Sequence, residues 1–245
     1  AASAGFDRVV AVGGDGTLGS VATGLCDLPA DERPSFGIIA GGTANDFAVS
    51  VGIGELPTVD AVRLALSGTP SPTDVGRTNN RCFLNMLTTG FPASLSDETP
   101  RPLKDALGGL AYPLHGLANL GAWTPTPVVV STDEGEWRGD ALAVFIANGN
   151  QVGGGICVAP DASPHDGAFD VVIAPRMDAA EIVGAAVSHF FDRTTRPASV
   201  KTLRAKWVEI AAEQDLAVSA DGEVERTASL RAEILPGALQ LVLPS

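Results

Sequence analysis

The chain has 245 residues, 45% of them apolar, and a formal charge of −13. That length builds one large domain or two small ones around a sizeable core, and the apolar fraction excludes a disordered chain. The acidic balance excludes nucleic acid as a main partner, because neutralising its phosphates takes clustered cations.

Asp7-Arg8-Val9-Val10-Ala11-Val12 reads as a short strand that runs into Gly13-Gly14-Asp15-Gly16-Thr17, and a helix is predicted from Thr17 to Leu25. Phe36-Gly37-Ile38-Ile39-Ala40 reads as a second strand, followed by Gly41-Gly42-Thr43-Ala44-Asn45-Asp46-Phe47-Ala48 and a helix from Asn45 to Val51. Val59 to Leu66 is apolar at helical spacing and stops at Gly68. This βα alternation predicts a parallel sheet with its turns at the strand ends. Gly68-Thr69-Pro70-Ser71-Pro72 is rich in breakers and is the expected domain boundary.

Beyond it the period changes. Residues 81–86, 126–131, 139–146, 169–173, 207–210, 216–219, 230–235 and 239–243 read as strands. Asp133-Glu134-Gly135, Asp166-Gly167 and Asp221-Gly222 supply turns. An antiparallel sandwich is predicted, interrupted by helices at Arg101 to Leu120 and Ala179 to Phe191. No apolar run is long enough to span a bilayer. Cys26, Cys82 and Cys157 show neither metal spacing nor a disulfide framework, and each reads as a small buried apolar residue in a reducing compartment. Arg193, Arg196, Lys201, Arg204 and Lys206 form a basic stretch, read as a solvated face flanking a helix or as a membrane-docking patch.

The two glycine turns carry most of the chemistry. Glycine lets backbone approach a ligand closely, and successive N–H groups form an anion-binding concavity that a helix N-terminus reinforces. Together they read as a triphosphate cradle. Asp15 can hold a divalent metal and Thr17 can bond phosphate. Thr43 is a second phosphate candidate; Asn45 is placed either there or as a helix cap. Asp46 acts on metal-bound water or simply favours a helix N-terminus. Neither turn is a P-loop, since no Gly-Lys-Ser/Thr is present. Gly153-Gly154-Gly155 suggests close approach of backbone to a ligand. Asp221-Gly222-Glu223 puts two carboxylates on a hairpin tip, and phosphoryl transfer to an alcohol needs one to accept the hydroxyl proton.

With these residues laid out, the chain resembles the diacylglycerol kinase catalytic family, most closely the bacterial YegS-like lipid kinases. The likeness rests on Gly13 to Thr17, Gly42 to Ala48, Asp74-Val75-Gly76, Cys82 to Met86, Gly153 to Gly155, Asp166-Gly167, Asp221 to Glu223, and Glu233 to Pro236 with Ala238-Leu239. It spans essentially the whole chain. It implies an α/β nucleotide domain over residues 1–70 and a β-sandwich over 71–235 that receives the lipid, with the tail 236–245 packing back on the first domain. ATP would lie between them on Gly13, Gly14, Asp15, Gly16, Thr17, Leu18 and Thr43, with Asn45 and Asp46 alongside. Glu223 matches the proton acceptor, with Asp221 beside it and their roles not separated. Asp166 matches a magnesium ligand, joined by the main-chain carbonyls of Phe169 and Val171. Asp15, Asp46 and Asp74 match an acidic network near the nucleotide.

The implied reaction is transfer of the ATP γ-phosphoryl group to a hydroxyl of diacylglycerol, phosphatidylglycerol or a similar glycerolipid. The alternatives are a sphingoid or long-chain alcohol kinase and a catalytically idle lipid-binding module. A cytoplasmic enzyme touching the inner face of the membrane is expected, docking through Arg101 to Leu120 or the basic stretch. Two departures stand out. Gly41 replaces a larger apolar residue, and the family carries on the order of 50 residues before the strand at Asp7. Ala1 to Gly5 reads as the tail of that segment's last helix.

Overall fold

A computed structural model of the chain describes residues 5–79, 81–90, 93, 124–178, 180–182, 184 and 197–244. The expected helix Arg101 to Leu120 lies outside them, as do Arg193 and Arg196 of the basic stretch.

Strands β1 (Arg8–Gly13) and β2 (Ser35–Ala40) pair in parallel, from Arg8 opposite Ser35 to Gly13 opposite Ala40. The register has no offset, so both strands end level and both glycine turns leave from one edge. Helix α1 (Asp15–Cys26) follows the first turn, and α2 (Asp46–Ser50) follows the second. Helix α3 (Thr58–Ser67) packs so closely on β2 that a Cβ on Gly37 would sit 2.6 Å from the Ala65 carbonyl oxygen. The core of this half joins Leu18, Ala22 and Leu25 of α1 to Phe36 and Ile38 of β2 and Phe47 of α2. At roughly 25 cal/mol per Å² of apolar surface buried, these side chains supply the main driving force for the βα arrangement.

The second half holds β3 (Pro70–Thr78), β4 (Cys82–Phe83), β5 (Met86–Gly90), β6 (Thr126–Thr132), β7 (Gly135–Ala147), β8 (Gln151–Val152), β9 (Ile156–Cys157), β10 (Phe169–Pro175), β11 (Lys201–Ala205), β12 (Trp207–Ala220) and β13 (Glu223–Val242). Its core centres on Phe83 and Phe169, whose rings stack 5.6 Å apart, with Ile146, Val171, Val208, Ile210 and Ala232 around them. Eight strands run in one path, β1-β2-β13-β12-β5-β7-β10-β11; β3 with β4 branches from β13, β6 pairs with β12 and β7, and β8 and β9 form a separate two-stranded sheet.

The breaker-rich run at 68–72 feeds directly into β3, which pairs antiparallel with β13 from Thr78 opposite Ala232 to Pro70 opposite Val242. Among the described residues only Gly76 and Arg77 of β3 have a partner strand on the other side, so Pro70 and Pro72 need no N–H there. Lys201 to Ala205 is an edge strand against β10 rather than a solvated flank of a helix; cations on a sheet edge keep it from pairing with other chains. Four expected short strands merge into two long ones. β12 bulges between Ala211 and Leu216, and β13 shifts register between Leu235 and Leu239, where Gly237 has φ 57°. The far half of β13 pairs with β3 and, in parallel, at Leu241 with Phe36 of β2. Of the predicted helix Ala179 to Phe191 only residues 180–182 and 184 are described; before them the Asp178 N–H donates to Glu181 and the Glu181 N–H to Asp178, a capping box.

Candidate active site

The first turn of α1 faces outward from the sheet edge. Its earliest intrahelical bond runs from the Leu18 N–H to the Gly14 carbonyl, so the N–H groups of Asp15, Gly16 and Thr17 precede the helical ladder, as the first turn of any helix requires. Thr17 is exposed and leans over Gly13, where an added Cβ would lie 2.6 Å from its hydroxyl. Leu18, expected at the nucleotide, buries its side chain in the core, which leaves only its backbone for a ligand.

The two glycine turns touch backbone to backbone. Gly41 N–H donates to the Gly13 carbonyl at 2.9 Å, and a Cβ on Gly42 would fall 2.3 Å from the Gly14 Cα. Asn45 stands at the N-cap of α2 but does not cap it. With φ 54° its side chain turns back, accepting from the Gly42 N–H and donating to the Gly42 carbonyl, both at 2.8 Å. The cap comes from another element: Asp15 accepts the N–H groups of Asp46 (3.1 Å) and Phe47 (2.9 Å). Thr43 stays exposed on the second turn.

Asp46 is buried and aims away from the turns. Its carboxylate receives Gln151 Nε2 at 3.2 Å and the N–H groups of Gly154 and Gly155. Burial, more than the neighbouring Asp15, raises its carboxyl above the usual range, against the pull of those hydrogen bonds. The close approach of Gly154 and Gly155 is to the protein's own Asp46, and all three glycines of the run take positive φ in the turn that brings those two N–H groups onto it. Asp74 serves other turns, accepting the N–H groups of Gly167 and Gly237 at 2.7 Å each. The three aspartates of the expected acidic network are each satisfied by backbone donors.

The β12–β13 hairpin brings its acids to α1. A Cβ on Gly16 would sit 3.4 Å from Glu223 Oε1, and one on Gly19 would sit 3.2 Å from Asp221 Oδ2. The two carboxylates differ sharply. Glu223 is exposed. Asp221 is buried at φ 48°, and its oxygens take the N–H groups of Leu84 (2.7 Å), Asn85 and Met86 (3.0 Å each). Burial outweighs those bonds and pushes its carboxyl up to about 7.

Asp166 does not present a free ligand. Its Oδ2 pairs with Arg204 at 2.7 Å, and its Oδ1 accepts the Ala168 N–H at 3.2 Å. Phe169 opens β10 opposite Ala205 of β11, and Val171 lies between β11 and β7. Among the described residues no group of three or more histidine, cysteine or acidic side chains converges on a point. A guanidinium stands where the resemblance put a cation, so these residues do not fit a magnesium site and no step is routed through one.

Sequence reasoning did not assign Asn85, Asn148 and Gln151. Asn85 donates to the Gln151 carbonyl, and Asn148 donates to the carbonyls of Asp74 and Leu84, tying the acid-bearing segments together. The amide-rich run Asn148-Gly149-Asn150-Gln151 is the signal the sequence offers.

An α/β half with open phosphate-type turns, continuous with a β-sandwich that returns an acidic hairpin to them, defines a kinase. The diacylglycerol kinase catalytic domain matches residues 1–78, and the YegS C-terminal NAD kinase beta sandwich-like domain matches residues 86–243. The curated "Probable lipid kinase YegS-like" proteins of Yersinia pestis and Yersinia pseudotuberculosis are 39% identical over the whole chain, which covers 81% of their length. A Bacillus anthracis structure described as a candidate diacylglycerol kinase has a TM-score of 0.82 at 26% identity, covering 97% of this chain and 77% of that one. The chain belongs to the family of YegS-like lipid kinases. No helix among the described residues is long and apolar enough to cross a membrane.

Proposed function

We propose that the chain transfers the γ-phosphoryl group of ATP to a hydroxyl of a glycerolipid, diacylglycerol or phosphatidylglycerol in class, with Glu223 as the proton acceptor. The observation that carries this reading is the exposed Glu223 carboxylate lying against Gly16, in the turn whose N–H groups open α1. Phosphoryl transfer asks little covalent chemistry of the protein; it asks for positioning and for charge stabilisation. The N–H groups of Asp15, Gly16 and Thr17, with the positive end of α1, supply part of that charge.

Asp221 sits near the pKa a base at neutral pH would want, but geometry decides first. Its oxygens are committed to three backbone donors, so it positions the hairpin while Glu223 meets the acceptor hydroxyl. Asp15 and Asp46 are likewise committed to N–H groups, so magnesium would enter as part of the MgATP substrate, shielding the triphosphate. The acceptor is a membrane lipid, and the enzyme meets it at the cytoplasmic face. Lys201 and Lys206 on and beside the exposed edge strand offer a cationic contact to anionic head groups.

Incubation with γ-labelled ATP and an extracted lipid mixture tests the proposal. Label in a lipid that co-migrates with a phosphorylated glycerolipid is expected. Label in a sphingoid base instead, or in no lipid while ATP binds, would overturn it.

A further inference from the structure

Cys26 and Cys82 are 56 positions apart, yet the fold brings them together. Cys26 closes α1 and Cys82 opens β4. Thr23, one helical turn before Cys26, latches the two elements: its hydroxyl accepts the Cys82 N–H at 3.1 Å, and its proton is shared between the carbonyls of Gly19 (2.9 Å) and Cys82 (3.2 Å). Both side chains pack into one apolar cluster, beside Leu25 of α1 and Leu84 just after β4. Cys82 is buried, while Cys26 is partly open to solvent.

We propose that Cys26 and Cys82 form a two-thiol oxidation site that takes hydrogen peroxide as oxidant and closes to a reversible disulfide. The environment gives the thiols separate tasks. The Cys82 S–H, with Arg33 and Arg77 nearby, favours the thiolate of Cys26, against burial and the charge of Asp27. Cys82 is pushed the other way by Cys26 and by burial. Cys26, partly open to solvent, is thus the attacking sulfur and Cys82, buried, the resolving one.

The Cys26 thiolate attacks the peroxide and its O–O bond breaks. Cys26 becomes a sulfenic acid, and hydroxide leaves to take up a proton as water. The Cys82 sulfur then attacks the sulfenic sulfur, the S–O bond breaks, and the Cys82 proton leaves with the oxygen as a second water. Two thiols lose two electrons and one peroxide gains them.

The position gives the linkage consequence. α1 begins with the Gly14 to Thr17 turn, and the residues just after β4 (Leu84, Asn85 and Met86) hold Asp221. A disulfide would staple the far end of the phosphate-turn helix to the segment that fixes the acidic hairpin. In a reducing compartment such a pair rests as thiols and closes only under oxidant.

Reduced full-length protein treated with a small excess of hydrogen peroxide, alkylated and digested, tests this without any variant. Loss of two of the three thiols is expected, with one peptide pair joining Cys26 to Cys82, two hydrogens lighter than the sum and separated by dithiothreitol. In Cys82→Ser the sulfenic acid at Cys26 should persist long enough for dimedone to capture it, whereas Cys157→Ser should leave the linkage intact. Linkage through Cys157, links only between chains, or irreversible sulfinic acid at Cys26 with Cys82 still a thiol would overturn the proposal.

Discussion

Asp221 and Glu223 are two residues apart and share one hairpin tip, yet they meet opposite surroundings. Asp221 adopts φ 48°, a left-handed conformation that an aspartate tolerates when its side chain bonds nearby backbone, and here it takes three N–H groups from the segment Leu84 to Met86. That the hairpin existed was legible from Asp221-Gly222 between period-two runs. Which acid faced out was not, because the partner segment lies about 136 residues away in sequence and no local pattern announces it. The buried carboxyl of Asp221 has a folded-state pKa of about 7, above the ordinary 3.8. The folded protein therefore holds this proton more tightly than the unfolded chain. Its contribution to stability is full below about pH 4 and declines as the pH rises through 7, the reverse of an exposed, salt-bridged carboxylate. Asp221→Asn presents an amide donor where one oxygen accepted an N–H, which costs about 1–3 kcal/mol for the orphaned group. Chemical denaturation across pH 4 to 8 should show the variant less stable, with a flatter pH slope than the parent. An unchanged slope would mean that Asp221 does not titrate in this window.

At the scale of elements, the glycine turns were readable because strand, glycine cluster and helix follow each other directly. What the sequence hid was how the turns are braced. Asp15 looked like a ligand and proves to be the cap of α2, a helix of five residues whose own N-cap residue turns away. Gly153 to Gly155 looked like a ligand loop and proves to close on Asp46. Both are carboxylate-to-N–H contacts between segments remote in sequence, invisible to periodicity. The strands β3 and β11 were misread for a related reason: prolines and cations are breakers or solvent signals in isolation, and only their edge position makes them strand residues. The contact between the turns gives a sharp contrast at two glycines. Gly42→Ala places a methyl 2.3 Å from the Gly14 Cα, backbone against backbone, and should cost about 1–3 kcal/mol while lowering nucleotide affinity as the turns part. Gly24→Ala, inside α1 with nothing within 4 Å of the added carbon, should be neutral or stabilising by up to about 1 kcal/mol. Thermal melts with nucleotide titration of both variants check this; equal behaviour of the pair would contradict the close packing of the two turns.

Across the whole molecule, β13 joins the halves. Its first half pairs with β12, its second half with β3, and Leu241 reaches β2, while Arg33 donates to the Ala238 carbonyl at 2.8 Å from the end of the α/β half. Asp74 locks the break in β13 by holding Gly237 and, with its other oxygen, Gly167. This long strand is what carries the acidic hairpin, at its start, back to the phosphate-type turns that its far end supports from beneath. The motifs in the sequence pointed to two halves and a shared site; the single strand that spans both was read as two, since Pro236-Gly237 interrupts its alternation.

The most direct measurement is turnover of Glu223→Gln against a glycerolipid, alongside ATP binding and thermal stability. The exposed side chain has no structural task, so the fold and nucleotide affinity should be retained while kcat falls about 10²- to 10⁴-fold, the usual worth of a positioned base. Full activity in a folded, ATP-binding variant would contradict the assignment of Glu223 as the group that takes the hydroxyl proton.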